Sequence, residues 1–513
     1  MMQLRSRLRG AFADRSTVTG DFLNTFFGRQ VATVVGILPT ILVPVLLGPA
    51  SYGVWKLLTA IENFSRVLHL GTVSALNRQV PYYEGRGDPE RARTARGTAL
   101  GMTILGGLVS SAGVIVAALW VRGGALLVPL LLFAGYSFAN RLLLYYQTLF
   151  NAERLFGSKA RIGIIEAAIS TPIVLAGVYF FGLSGVIAAS TVVLLVVVGL
   201  HRRRLGTIVT PSIDRRELRA SIGVGLPVLL YGIVGYATQS TDTLMVGWLL
   251  GASHVGLYAL GVSLAERLGQ LAWMLGSVMM PRFARRYGEQ EEIGALREMV
   301  EQPARFVGVV FPALSLAAIA SAEVLFLTVW KSYRPGRDAL TILALGVMLV
   351  AVYDSYAGFF ATIKKQIHLV WMLLVALAAN VVGNYVLIRA GWGITGAALS
   401  TASCMGVFSL AQTTLALRQF SGGESVPRGL ARVYAGSAVA VSLVVAGEAI
   451  LRLDALEPAR YATLGVRLAA LPLYGVFGYW MAVRNGFDPR SVLRRLREGP
   501  PGTTTSPEGA LGS

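Results

Sequence analysis

Charged side chains occur inside long apolar segments of this sequence, where such residues are uncommon. Glu62, Arg66, Glu266 and Arg267 fall near the middle of such segments. A charge far from water is costly, so it usually faces a water-filled cavity or a charged partner. The planar guanidinium of Arg binds two phosphate oxygens at once, and a desolvated carboxylate can titrate near neutrality. These residues predict a polar cavity that binds an anionic group and contains carboxylates able to couple to an ion.

Polar side chains recur at helical spacing around these charges. They form one stripe on each of four predicted helices: Thr25, Arg29 and Thr33; Thr59, Glu62, Arg66 and His69; Tyr231, Gly235, Thr238 and Asp242; and Glu266, Gln270, Trp273 and Ser277. A membrane helix with a single polar stripe turns that stripe away from lipid. We expect the four stripes, together with Lys56, to line one cavity.

The elements that carry these stripes are membrane spans. The chain is 54% hydrophobic and 14% charged, far fewer charges than a soluble protein of 513 residues carries. A span needs about 20 mostly apolar residues, and on that basis we predict an all-α polytopic membrane protein of about fourteen helices. They cover residues 22–47, 52–77, 98–120, 125–149, 161–181, 183–200, 221–250, 254–280, 304–328, 338–362, 366–389, 393–417, 430–451 and 461–483.

The distribution of basic residues predicts the orientation. Most of the 46 Lys and Arg lie in alternate connections and at both ends, which places both termini in the cytoplasm. The net charge of +19 is therefore explained by cytoplasmic loops and does not indicate nucleic-acid binding. Lys331, Arg334 and Arg337 are an exception, because this count places their loop outside. The first apolar segment is long enough to span, so we predict a retained helix and no signal peptide.

The sequence contains one pattern twice. Leu46-Leu47-Gly48 followed by Gly53 reappears as Leu249-Leu250-Gly251 followed by Gly256, and Gly182-Leu183-Ser184-Gly185 reappears as Gly393-Ile394-Thr395-Gly396. Because each copy has an even number of spans, the repeats are parallel. We predict a basic cytoplasmic N-terminus (1–21), a first six-helix repeat (22–200), a basic cytoplasmic linker (201–220), a second six-helix repeat (221–417), two additional C-terminal helices (430–483) and a disordered cytoplasmic tail (484–513).

Four groups of residues resemble motifs of a known family. They are the LGPASYG turn at 47–53, Asn77-Arg78, Asp242-Thr243-Leu244 with Gly251 and Gly256-Leu257-Tyr258, and Asn380 and Asn384 followed by Gly391 and the segment 393–398. In this order they resemble the prokaryotic polysaccharide flippases of the multidrug/oligosaccharidyl-lipid/polysaccharide exporter superfamily. The resemblance implies a V-shaped transporter with fourteen helices. It also implies alternating access, with the first two helices of each half lining the cleft.

The resemblance implies a substrate, namely an oligosaccharide linked through diphosphate to a polyprenol, such as an O-antigen or exopolysaccharide repeat unit. We expect Arg29, Arg66 and Arg267 to bind the diphosphate and inner sugars, with Lys56 nearer the outer exit. Thr25, Glu62, His69, Thr238, Gln270 and Trp273 would line the cavity. Asp242 and Glu266 are the ion-coupling candidates.

Purely structural roles remain open for the same residues. Glu62 and Arg66 are four apart with Glu first, the favourable order for an ion pair within one helix. Asp242 and Glu266 could pair with Arg267 or Arg29. Gly48-Pro49 is expected to be a tight turn without substrate contact, because glycine permits a positive φ and proline ends a helix. Asn380 and Asn384 share one helix face and are expected to hydrogen-bond across helices.

Several kinds of chemistry are not indicated. Cys404 is the only cysteine, the four His have no metal-ligand spacing, and the sequence contains no GxxxxGK[ST] loop. We therefore predict no catalytic residues, no cofactor and no metal site. The expected partners are the lipid-linked glycan, the bilayer of a prokaryotic plasma (inner) membrane, and possible polysaccharide polymerases and glycosyltransferases.

Three other functions stay open. The first is an ion-coupled exporter of drugs or organic cations in the same superfamily, and the second is a flippase of the peptidoglycan precursor lipid II. A membrane glycan polymerase or ligase is the alternative from a different class.

Overall fold

The computed structural model describes residues 36–120, 124–206, 208–290, 292–420, 425–453 and 462–485. Within these ranges the chain is helical and contains no β-strand, so the predicted all-α class is confirmed. The long apolar runs explain the helices, because a backbone in lipid must satisfy its hydrogen bonds within each segment. Predictions for Thr25 and Arg29 lie outside the described residues.

The first five helices carry the predicted first repeat. They are α1 (Ile37–Ser65), α2 (Thr72–Gly85), α3 (Pro89–Trp120), α4 (Leu127–Ala152) and α5 (Phe156–Leu205), with a 3₁₀ turn at Arg66–His69 between α1 and α2. Gly48 within α1 has φ 71° and ψ 167°, which interrupts the helix. The predicted turn at Gly48-Pro49 is confirmed.

The remaining helices follow the linker. They are α6 (Arg215–Leu250), α7 (Ala252–Gln290), α8 (Arg297–Thr328), α9 (Arg337–Thr362), α10 (Gln366–Leu387), α11 (Gly393–Leu417), α12 (Val426–Leu453) and α13 (Ala462–Arg484). Short 3₁₀ turns precede α8 and α9, at Gly294–Leu296 and Lys331–Gly336, and a π turn at Ile388–Trp392 separates α10 from α11.

Helix α5 is a hairpin of two membrane helices. Its 50 residues would extend about 75 Å as one helix, more than twice the thickness of a bilayer core. Gly182 breaks it with φ 55° and ψ −130°. The two arms then pack so closely that a Cβ at Gly185 would lie 1.8 Å from the carbonyl oxygen of Gly177. This break separates the predicted spans 161–181 and 183–200.

Ten helices in the described part of the chain are long and apolar enough to cross a membrane. Two of these ten, at Phe156–Leu205 and Ile367–Leu417, contain 50 and 51 residues and include a glycine break. A polytopic membrane fold is therefore confirmed. The number fourteen and the boundaries of the repeats stay predictions.

The described residues form two compact units. Unit 1 contains the residues up to Ser263 with Thr328–Leu340 and Val370–Thr401. Its core includes a cluster of α2, α3 and α4, in which Val73, Leu76, Tyr145 and Leu149 are at most 3% exposed. A second cluster joins α4 to α5. This packing fixes the position of α4 against α2, α3 and α5.

Unit 2 contains Leu264–Leu327, Thr341–Leu369 and the described residues from Ala402. Its apolar core joins α8, α9 and α12 through residues such as Phe311, Phe359 and Val433. At its edge Arg467 of α13 contacts Glu323 of α8 and Glu448 of α12, each at 3.1 Å.

This arrangement corrects one expectation from the sequence. Glu323, Glu448 and Arg467 lie near the ends of predicted spans, a position that predicts side chains reaching the membrane surface. Instead, the side chains of Glu323 and Arg467 are only 5% exposed. The guanidinium of Arg467 compensates Glu323 inside the protein, so Glu323 does not have to reach water, whereas the side chain of Glu448 is 36% exposed.

Replacing Arg467 tests the importance of this triad. Arg467→Leu leaves Glu323 buried without its counter-charge, which typically costs about 3–5 kcal/mol. We expect a clear drop in the thermal unfolding temperature in detergent, partly reversed by adding Glu323→Gln. Arg389→Gln, at an exposed position, is the control. An unchanged unfolding temperature in Arg467→Leu would contradict the buried ion pair.

Candidate functional site

The predicted second span is interrupted at its charged residues. Helix α1 ends at Ser65, Arg66–His69 form a 3₁₀ turn, and Leu70 and Gly71 have φ of 49° and 83° before α2 begins. The predicted unbroken helix over residues 52–77 is therefore wrong beyond Ser65. Irregular backbone at membrane depth is tolerated where it is buried in protein or lines a cavity.

Local hydrogen bonds and one close approach stabilise this break. His69 is buried; its Nδ1 accepts from the Gly71 amide at 3.1 Å, and the Thr72 hydroxyl donates to its carbonyl oxygen at 2.8 Å. Helix α6 packs directly on the turn, because a Cβ at Gly225 would lie 1.9 Å from the Gly71 carbonyl oxygen. Glycine at 225 is thus required by the contact.

Glu62 is paired with α4 and not with its own helix. The Glu62 Oε1 atom lies 3.9 Å from Nη2 of Arg141, and Ser137 donates to Glu62 Oε2 at 2.6 Å. Glu62 and Arg141 are each 4% exposed. The ion pair within one helix that the spacing of Glu62 and Arg66 allowed is not formed.

Arg66 instead contacts an aromatic ring. Its Nη1 donates to the Tyr236 hydroxyl at 2.6 Å, and the guanidinium lies 4.6 Å from the ring centroid. In the described part of the chain no carboxylate lies within ion-pair distance of Arg66, and its buried Nε has no hydrogen-bond partner there. Arg66 thus has no carboxylate partner at the break, and Tyr236 accepts from only one of its N–H groups.

Lys56 belongs to a second contact between α1 and α7. Its ammonium donates to the Ser263 hydroxyl at 2.9 Å and lies 5.6 Å from the ring centroid of Tyr52. The turn at Gly48-Pro49 and the equivalent turn at Gly251-Ala252, between α6 and α7, meet beside Lys56. A Cβ at Gly53 would lie 1.7 Å from the Ala252 carbonyl oxygen, and one at Gly256 would lie 1.9 Å from that of Pro49. The repeated glycines therefore permit direct backbone contact.

Asp242 lies in a neutral polar cluster. Its carboxylate accepts hydrogen bonds from Thr401 at 2.7 Å, Tyr258 at 3.0 Å and Asn384 at 3.1 Å. Asn380 donates to Thr401 and accepts from Asn384, which confirms that these two asparagines bond across helices. Among the residues described, no Lys or Arg forms an ion pair with Asp242.

The other predicted residues are distributed over both units. Thr238 lies in unit 1, where its hydroxyl bonds to the carbonyl oxygen of Val234 in its own helix. Glu266, Gln270 and Trp273 are exposed on one face of α7 in unit 2, and Arg267 is half-buried there. An exposed polar face on a membrane helix is typical of a cavity lining.

Sequence reasoning missed several partners of the predicted residues. The charged one is Arg141, and the neutral ones are Ser137, Tyr236, Tyr258 and Thr401. Arg141 had a usable signal, because it is a charge inside span 125–149 and therefore requires a partner on another helix. Tyr258 also had a signal, because it belongs to the same motif as Asp242, whereas Ser137, Tyr236 and Thr401 carry no comparable signal in the sequence.

A family of sequences described as "Polysaccharide biosynthesis protein" matches residues 42–334. The chain belongs to this family. The match includes the turns at Gly48 and Gly251, the break at Arg66–Gly71 and Asp242. No curated protein sequence matches the chain.

Solved structures with the same fold are membrane transporters. The lipid II flippase MurJ in an inward closed conformation aligns with a TM-score of 0.63 at 13% identity, over 92% of this chain and 99% of its own. An inward-facing multidrug resistance MATE family transporter of the MOP superfamily aligns with a TM-score of 0.61 at 13% identity, over 79% of this chain and 99% of its own.

A MOP superfamily transporter from Pyrococcus furiosus, described as having a binding pocket of reverse polarity, aligns with a TM-score of 0.56 at 14% identity, over 80% of this chain and 95% of its own. At these identities the similarity shows a shared fold. The chain thus belongs to the polysaccharide biosynthesis family and shares the fold of these membrane transporters.

The contact at the helix break predicts that alanine substitutions at two nearby glycines differ sharply in their effect on stability. Gly225→Ala places a methyl group against the Gly71 backbone and should destabilise the protein by about 1–3 kcal/mol. Gly223→Ala is the matched control, because nothing lies within 4 Å of its Cβ position, and it should be neutral or slightly stabilising. Thermal unfolding in detergent compares them, and equal unfolding temperatures would contradict the close approach.

Proposed function

We propose that this protein translocates polyprenyl-diphosphate-linked oligosaccharide from the cytoplasmic to the outer leaflet of a prokaryotic inner membrane by alternating access. The cargo would be an O-antigen or exopolysaccharide repeat unit, and both termini would lie in the cytoplasm. The observation that carries the proposal is Arg66, a guanidinium held without a carboxylate partner at a helix break. The family and the transporter fold support it.

The chemistry of Arg66 suits a diphosphate. The Tyr236 hydroxyl occupies one of its five N–H donors, and contact with the ring contributes roughly 0.5–2 kcal/mol. The remaining donors can bind phosphate oxygens through charge-assisted hydrogen bonds. Because a guanidinium is expensive to keep at membrane depth, an anionic ligand or water at this position explains its retention.

Further residues complete the proposed site on the basis of their sequence pattern. Arg29 and Arg267 would bind the diphosphate and inner sugars together with Arg66, and Lys56 would lie nearer the outer exit. The remaining lining would be Thr25, Glu62, His69, Thr238, Gln270 and Trp273. Glycosyltransferases would supply the substrate, and polysaccharide polymerases would use the product.

Reconstitution tests the substrate. Purified protein in vesicles should translocate a fluorescent polyprenyl-diphosphate oligosaccharide, measured by protection of the label from a membrane-impermeant quencher. Arg66→Gln should raise the KM about tenfold or more, because it removes a charged hydrogen bond of roughly 1.5–3 kcal/mol. Arg389→Gln, at an exposed position, is the control.

The alternatives give different results in the same assay. Efflux of organic cations without movement of the lipid-linked glycan would identify a drug exporter. Translocation of lipid II in preference to the oligosaccharide would identify a precursor flippase. Formation of longer glycans in the vesicles would identify a polymerase.

Asp242 is the stronger of the two ion-coupling candidates, because it is buried among neutral hydrogen-bond donors. A proton or Na⁺ could bind such a carboxylate without displacing a basic side chain. Glu266 is exposed on α7 and is the second candidate.

Neutralising Asp242 tests this role. Asp242→Asn should abolish the stimulation of transport by a proton or Na⁺ gradient while exchange without a gradient continues. Glu266→Gln should retain the stimulation if Asp242 is the coupling residue. Thr401→Val removes one hydrogen bond but keeps the carboxylate, so it controls for packing changes. Full gradient stimulation in a correctly folded Asp242→Asn variant would refute the assignment.

A further inference from the structure

Two arginines compete for Glu62. Arg66 follows it by four residues along the chain, and Arg141 approaches it from α4. If Glu62 paired with Arg66, the charge proposed to meet the substrate would be neutralised, and Arg141 would be buried alone. The observed pairing with Arg141 avoids both consequences.

We propose that Arg141 is a positioning residue that keeps Arg66 without a carboxylate partner by holding Glu62 on α4. The inference rests on the proposed function, because it concerns the affinity of Arg66 for an anionic diphosphate. Arg141 itself is 4% exposed, so it acts through Glu62 and does not contact the ligand.

Helix α4 offers Glu62 a hydroxyl donor and a counter-charge, although within the described residues Glu62 Oε1 itself accepts no hydrogen bond. Ser137 and Arg141 are four residues apart and thus share one face of α4. The Ser137 hydroxyl donates to Glu62 Oε2 at 2.6 Å, and the Arg141 guanidinium lies beside Oε1. Ser110 of α3 contacts the Ser137 hydroxyl at 2.9 Å, which fixes its orientation. The carboxylate therefore has a hydroxyl donor and a counter-charge on the same neighbouring helix.

The backbone break begins at Arg66, after the helical turn that carries Glu62. Residues four apart on a helix can form an ion pair, so Glu62 remains able to pair with Arg66 if Arg141 is removed. The chain changes to a 3₁₀ turn at Arg66, with three residues per turn instead of 3.6. The Arg66 side chain is directed to Tyr236 of α6. The formal charges of Glu62, Arg66 and Arg141 sum to +1. Because Glu62 is paired with Arg141, the uncompensated charge lies on Arg66.

A double-mutant cycle tests the proposal. We expect Arg141→Gln to raise the KM for the fluorescent polyprenyl-diphosphate oligosaccharide about tenfold, with little change in kcat, because Glu62 then neutralises Arg66. Arg141→Lys should retain most of the affinity. Adding Arg141→Gln to Arg66→Gln should raise the KM no further. If the two substitutions multiply their separate effects on KM in this double variant, the proposal is overturned.

A purely structural role for Arg141 gives another pattern. It predicts a lowered unfolding temperature with unchanged KM, and it predicts the same loss of stability whether or not Arg66 is present. The variant Glu62→Gln/Arg141→Gln contains no unpaired buried charge and should fold. Its KM should return towards that of the wild type, since no carboxylate remains to neutralise Arg66. A KM as high as that of Arg141→Gln would refute the proposal.

Binding is measured separately, so that a failure of the proposed function can be recognised. Titration of polyprenyl diphosphate without glycan, followed by intrinsic Trp fluorescence in lipid nanodiscs, gives a Kd for the same variants. If the wild type binds this lipid but transports no glycan, the proposed function is refuted. The Kd values of the same variants then still test the role of Arg141. If the wild type transports and Arg141→Gln leaves both KM and Kd unchanged, the inference about Arg141 fails alone.

Discussion

A carboxylate buried between membrane helices must be compensated by the protein, because water is not there to solvate it. Three carboxylates illustrate this constraint. Glu62 is compensated by Arg141 and a hydroxyl, Glu323 by Arg467, and Asp242 by three neutral donors. The partners of Glu62 lie on another helix, and Arg66 is consequently left with an aromatic contact. The charge of the proposed site thus depends on where the neighbouring Glu62 finds its partner.

Close backbone contacts place these charges. Gly71 and Gly225 let α6 touch the broken span, and Gly53 and Gly256 let the two equivalent turns meet. Small residues are the usual means of close helix approach in membranes, where apolar burial offers little driving force between helices. At Gly71 the same residue type serves a second purpose, since its φ of 83° is readily adopted only by glycine. The helix break and the tight contact with α6 therefore depend on one position.

The sequence was most informative where a local pattern determines the structure. Apolar segment lengths predicted the helical membrane fold, Gly48-Pro49 predicted a turn, and Asn380 with Asn384 predicted contacts across helices. The break at Arg66–Gly71 was missed because the spacing from Thr59 to His69 fits an unbroken helix, whereas the observed turn depends on packing against α6. The pairing of Glu62 was missed for a similar reason. Two arginines were available, and only the three-dimensional contact with α4 decides between them.

The different environments of Glu62 and Asp242 separate their functions. Glu62 faces a permanent charge, so neutralising it by a bound proton would leave Arg141 buried without compensation, which is strongly unfavourable. Asp242 is held by Tyr258, Asn384 and Thr401, none of which carries a charge. A cation bound at Asp242 would therefore reduce the local charge imbalance, whereas one bound at Glu62 would create an imbalance. In the proposed mechanism Glu62 would therefore stay paired and tune anion binding, and Asp242 would be the carboxylate that exchanges an ion during transport.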